Sequence, residues 1–172
     1  MTQLHDLTAL EQGELIATGK LSPVELTDHY LERIDRLNAS LGAYITVTPE
    51  LARSQAAEAE AAVRDRDGAP LSPLHGVPVP VKDLNFVAGV RATQGSAAGA
   101  ELIPAVDDHI VTKLRRAGTV LLGKTNTPEF GLPCYTENQV APPARTPWDL
   151  EYSAGGSSGG AGAAVAAGLA PI

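Results

Sequence analysis

Four glycines bracket two serines at Gly155-Gly156-Ser157-Ser158-Gly159-Gly160, and an Ala-rich segment ending near Gly168 follows directly. Such a composition by default makes a flexible linker. Here it lies between a proline-rich stretch and a predicted helix of small residues, so it does not join two domains. Glycine on both sides of the serines admits backbone conformations that a Cβ forbids, with close approach to a neighbouring strand. A serine held there is presented at a helix N-terminus, where backbone N–H groups favour an anion.

Composition limits what such a turn can serve. A chain of 172 residues is long enough to form one globular domain burying roughly 70% of its unfolded surface. The 13 basic and 20 acidic residues leave a net charge of −7, which argues against a nucleic-acid partner. Aromatic residues make up only 4%, so the core must come from Ala, Val, Leu and Ile. The single cysteine, Cys134, excludes an intrachain disulfide and a multi-cysteine metal cage, and points to a reducing compartment. No run of 18 apolar residues predicts a membrane span, and Met1 to Leu10 lacks the pattern of a secretory signal. The expected location is the cytoplasm, with neither a metal nor a cofactor.

The first third reads as helical. Thr8 and Glu11 have capping-box spacing, with Leu7, Leu10 and Leu15 expected on one side of a short helix. Ser22-Pro23-Val24-Glu25 starts a second helix, in which Leu26, Tyr30, Ile34, Leu37 and Leu41 form one apolar stripe before Asn38 and Gly42 stop it. Pro49 to Arg66 predicts an Ala-rich surface helix, and Gly68 to Pro73 a turn. Val77-Pro78-Val79-Pro80-Val81 alternates like a strand, which its prolines confine to an edge or a short pairing. Asp107 or Asp108 is placed to cap a helix closed by Gly118, and Thr119 to Leu122 reads as a buried strand. Strand, helix, strand predicts a βαβ unit in a partly parallel sheet. Residues 132–152 read as a long irregular loop.

Gly118-Thr119-Val120-Leu121-Leu122-Gly123-Lys124-Thr125 matches the phosphate-binding loop pattern literally. Its four variable positions are β-branched or aliphatic, however, and so form the strand itself. The helix precedes the match where a phosphate cradle needs it to follow. Lys82 is more informative, because it emerges from the apolar run at Val77 to Val81. As a base it must be neutral. From about 10.4, half-neutrality at pH 7 needs a displacement of about 3.4 pH units, or roughly 4.6 kcal/mol. Burial can supply about 3–5, provided the site is dry. His5, His29, His75 and His109 show no ligand spacing, and no Gly-x-Ser-x-Gly elbow is expected in a strand–turn–helix context.

Three blocks together resemble the amidase signature family: Leu74 to Asp83 (LHGVPVPVKD), Gly118 to Phe130 (GTVLLGKTNTPEF), and Pro147-Trp148-Asp149-Leu150 with Gly155 to Gly168. The resemblance runs from about Leu7 through Ile172. It implies an α/β fold: N-terminal helices (1–68), then an α/β portion (69–172) holding part of a mixed β-sheet covered by helices. It also implies a Ser–cisSer–Lys triad acting on a small-molecule amide, with Lys82 as the catalytic lysine and Ser157 as the bridging serine in a cis peptide. Ser158, Gly155, Gly156 and Gly159 would support them, and Lys124 would be structural. Thr146 and Ala154 depart from residues common in the family, Asn and Pro, and affect loop geometry only.

The resemblance implies a nucleophile in a further Gly-Gly-Ser stretch shortly after the Ala-rich helix, beyond Ile172, so the chain is expected to be inactive alone. Its apolar ending reads as the approach to a further strand, hence as a fragment. An exposed apolar patch is then expected on strand 119–122 and on the Ala-rich helix. The alternatives are a tRNA-dependent amidotransferase, of which this chain would belong to the A subunit, or a non-catalytic remnant of the fold. Whether the full-length protein is a homo-oligomer stays open.

Overall fold

The computed structural model describes residues 3–172; residues 1 and 2, where the 1–68 region and the reading of the N-terminus begin, lie outside the described residues. Helix α1 (Ala9–Ala17) opens with the expected reciprocal cap: Thr8 Oγ1 accepts from the Glu11 N–H, and the Glu11 carboxylate accepts from the Thr8 N–H at 2.7 Å. Its buried face is Ala9, Gln12, Gly13 and Ile16, and Leu10 is exposed, contrary to the leucine stripe expected. The reason is close approach: a Cβ at Gly13 would overlap the Pro73 carbonyl, so the small-residue side turns inward.

Helix α2 (Pro23–Leu41) buries Leu26, Tyr30, Ile34 and Leu41 as its periodicity predicts. Ser22 Oγ accepts from the Val24 and Glu25 N–H groups, and its hydroxyl donates to Glu60 on α3 (Pro49–Asp65) at 2.5 Å, tying the two helices together. Gly42, at φ +57, ends α2 in the left-handed conformation. A strand that the sequence reading overlooked follows, β1 (Tyr44–Val47), four residues squeezed between a helix stop and a helix start. The first third is therefore not wholly helical.

The main sheet has the order β1-β3-β2, where β2 is Pro78–Lys82 and β3 is Val120–Thr125. β2 runs parallel to β3 and β1 antiparallel to it, which makes the sheet mixed. The expected βαβ unit is present, with α4 (His109–Arg116) in the crossover. Both strand prolines lie on β2, at the edge. Asp108 occupies the N-cap position of α4, but its side chain does not cap. Asp108 accepts from the Phe86 N–H and Asp107 from the Ala88 N–H, both at 2.8 Å, so the pair anchors the loop after β2 instead.

Residues 132–152 are less irregular than expected, because Arg145–Thr146 (β4) and Asp149–Ser153 (β5) form a hairpin. Every residue of β3 is buried, so the expected exposure of strand 119–122 is absent. β1 and β2 flank β3, and α2, α3 and α5 (Gly159–Ala166) pack against it. On α5, Val165 is exposed. Phe130, Leu132, Tyr135, Trp148 and Tyr152 are exposed on the loop after β3 and on the hairpin, and Leu10, Ile103 and Val106 are exposed elsewhere. Among the described residues, no helix is long and apolar enough to cross a membrane.

Candidate active site

The outer end of β2 and the turn before α5 meet although 75 residues separate them: Lys82 Nζ donates to Ser157 Oγ and Ser158 Oγ, each at 2.9 Å. The peptide bond between Gly156 and Ser157 is cis. Ser158 is the N-cap residue of α5, yet its hydroxyl makes no capping bond and is engaged by Lys82. Backbone contacts hold the turn. Gly160 donates to the Asn126 carbonyl, and a Cβ there would overlap the Asn126 backbone nitrogen. A Cβ on Gly159 would overlap the Thr136 hydroxyl, and one on Gly156 would lie 2.9 Å from the Tyr135 nitrogen. Gly155 has φ +76 in open space, so its contribution is conformational.

Lys82 is half-buried, and Ser158 is exposed. The dry environment expected around the amine is thus only partly present, because the lysine sits at the open end of an edge strand. Burial still pushes the Lys82 amine below the ordinary lysine value. Both of its hydrogen bonds are to neutral hydroxyls, an arrangement open to a neutral amine that accepts and returns a proton.

The turn does follow a strand, β5, and precede a helix, α5, which corrects the sequence reading of its context. Its basic partner is a lysine. His5 and His29 lie together elsewhere, and His75 contacts the Ala59 carbonyl. Lys124, the lysine of the phosphate-loop pattern, is fully buried and paired with Asp83 at 2.8 Å. Among the described residues, no group of three or more His, Cys, Asp or Glu gathers as a metal cluster.

Three polar residues that sequence reasoning passed over hold the site. Asn126 Nδ2 donates to the Gly42 and Pro142 carbonyls, and Asn126 Oδ1 accepts from Asn138. Thr136 Oγ1 donates to the Gly155 carbonyl at 2.8 Å and accepts from the Gly159 N–H at 3.0 Å, clasping the turn at both ends. The available signal was polarity without a solvent role: Asn126 follows a buried strand directly, and it is itself fully buried.

Residues 25–172 match the amidase family. An acylamidase of Rhodococcus erythropolis is 43% identical over 169 residues, spanning 98% of this chain and 35% of that protein. The A subunit of the glutamyl-tRNA(Gln) amidotransferase of Dehalococcoides mccartyi strain BAV1 is 41% identical, over 97% of this chain and 34% of the relative. The structure of 6-aminohexanoate cyclic dimer hydrolase superposes with a TM-score of 0.86 at 36% identity, covering 99% of this chain and 34% of that one. The chain thus spans about a third of the length of the curated relatives it matches.

Proposed function

We propose, from the premise that this chain belongs to the amidase family, that it supplies the acid–base half of a site hydrolysing small carboxamides. The observation that carries this reading is the Lys82 amine within 2.9 Å of two serine hydroxyls, with its proton affinity lowered by burial. Neutral Lys82 takes the Ser157 proton while Ser157 takes one from a nucleophilic hydroxyl, whose oxygen bonds to the amide carbonyl carbon. As the C–N bond breaks, the proton returns through Ser157 to the leaving amine. Water then cleaves the acyl ester by the same relay and releases the acid.

The nucleophile in this proposal is a hydroxyl outside residues 1–172. Residues 1–172 form one part of a larger domain, in which 69–172 carry the proton relay. The unpaired Cys134 supports a cytoplasmic setting. The test uses the chain followed by the remaining length of the amidase fold, assayed on small aryl and aliphatic amides. Hydrolysis is expected, with Lys82→Ala lowering kcat by at least about 10³-fold. Full activity in that variant sinks the assignment. Absence of turnover in the parent points to the non-catalytic remnant.

A second reading, as part of a tRNA-dependent amidotransferase, is favoured by the Dehalococcoides relative. Activity that requires glutamine and a partner protein selects it over the stand-alone hydrolase.

A further inference from the structure

Ser158 stands at the N-cap position of α5, where a serine hydroxyl ordinarily accepts from a first-turn N–H. Here two of those donors are met from elsewhere: the Gly159 N–H by Thr136 Oγ1 at 3.0 Å, and the Gly160 N–H by the Asn126 carbonyl at 3.2 Å. The Ser158 backbone, at φ −104 and ψ 34, also departs from the extended conformation that N-cap residues take. Its hydroxyl accepts from Lys82 instead, at 2.9 Å.

Thr136 is fully buried, and its main chain is fixed in turn. Its carbonyl accepts from the Ala144 N–H at 2.9 Å, and the Ala144 carbonyl accepts from the Ala154 N–H at 2.9 Å. A hydroxyl has one proton to give and lone pairs with which to accept. Thr136 uses both functions, donating to the Gly155 carbonyl at 2.8 Å and accepting from Gly159. Between those two partners lie Gly156, Ser157 and Ser158, so a single side chain closes the turn that carries both serines. Other tethers of the turn are longer: Thr127 Oγ1 donates to the Ser157 carbonyl at 3.3 Å, and the Gly155 N–H donates to Ser153 Oγ at 3.2 Å.

We propose that Thr136 is a positioning residue: its hydroxyl takes over the cap of α5 and closes the 155–159 turn, so that the Ser157 and Ser158 hydroxyls stay directed at the Lys82 amine. The inference rests on the reading of these three groups as the proton relay. Proton transfer needs heavy atoms within hydrogen-bond reach, about 2.6–3.2 Å, and the 2.9 Å contacts of Lys82 leave little slack. Without the Thr136 hydroxyl, the buried Gly159 N–H loses its partner. The turn then relaxes toward an ordinary N-cap, which draws the Ser158 hydroxyl away from Lys82.

The test follows the Ser157 and Ser158 β-carbon shifts by NMR while the Lys82 amine of the full chain is titrated. In the parent both serines are expected to report the Lys82 ionisation, and Lys82→Arg to abolish that response. Thr136→Val, which keeps the shape and loses the hydroxyl, should lose most of it, and Thr136→Ser should keep it. Ser22→Ala, which removes the cap of α2, should leave it intact, separating positioning from general stability. A parent-like response in Thr136→Val overturns the proposal. If that variant does not fold, Thr136→Ala is read by the same criterion, because the space it opens admits water to the two backbone groups. Failure of both to fold overturns the proposal in favour of a purely structural threonine. In the chain lengthened to the whole amidase fold, Thr136→Val should lower kcat about 10–10²-fold with KM little changed, and an unchanged kcat also overturns it. No turnover in the lengthened parent, with the NMR responses as expected, counts against the catalytic reading alone.

Discussion

Gly160 and Gly162 stand two residues apart on α5 and differ in what a methyl group would meet. At Gly160 the neighbours are backbone atoms of Asn126 and Ala43, which cannot rotate away. Gly160→Ala is therefore expected to destabilise the chain by about 1–3 kcal/mol in urea unfolding, and to disturb the serine turn. At Gly162 nothing lies within 4 Å. Gly162→Ala should stabilise by about 0.5–1 kcal/mol through helix propensity, so equal effects at the two positions would refute the packing account. The serines and Lys82 could be read from sequence, because Gly-Gly-Ser-Ser-Gly-Gly and Val-Lys-Asp are dense local patterns. Thr136 and Asn126 could not, because nothing local distinguishes a threonine that clasps a turn 19 residues away.

Among the elements, α2 was the most legible. Its cap, proline and apolar stripe all act within a few residues, and local sterics decide them. Ser22→Ala should lose about 1 kcal/mol, measured by chemical denaturation, since the same hydroxyl caps α2 and reaches Glu60. On the same helix, His29 Nε2 lies 3.0 Å from His5 Nδ1. Arg33 binds the Ala167 and Gly168 carbonyls, joining α2 to the end of α5. Burial, then neighbouring positive charge, holds both imidazoles below the ordinary histidine value. The unfolded chain thus binds more protons than the folded one once pH falls below about 6.5. Stability should accordingly fall as pH drops from 7 toward 5, and His29→Asn should flatten that slope; an unaltered slope would exonerate the pair. Strand β1 escaped prediction because its partner β3 lies far along the chain; the hairpin escaped it although its strands adjoin, because a two-residue strand among prolines shows no alternation to read.

On the scale of the whole molecule, the edge position of β2 leaves Lys82 accessible, and β3 lies covered at the sheet centre. The only tryptophan, Trp148, is 81% exposed beside the hairpin, with Leu150 and Tyr152 exposed as well. Its fluorescence is expected to be that of a solvated indole, fully quenched by acrylamide; a blue-shifted, protected emission would mean that another surface covers it. What the sequence determined alone was local or pattern-borne: the helices, the edge strand, the βαβ order and the amine–hydroxyl candidates. Those follow from side-chain period, capping chemistry and the backbone freedom of glycine, each acting over a few residues. Only the tertiary structure decided that Lys82 meets both serines and that Lys124 takes Asp83. It also decided that a four-residue strand shields β3. Those contacts join residues tens of positions apart, and their geometry depends on packing that no local pattern encodes.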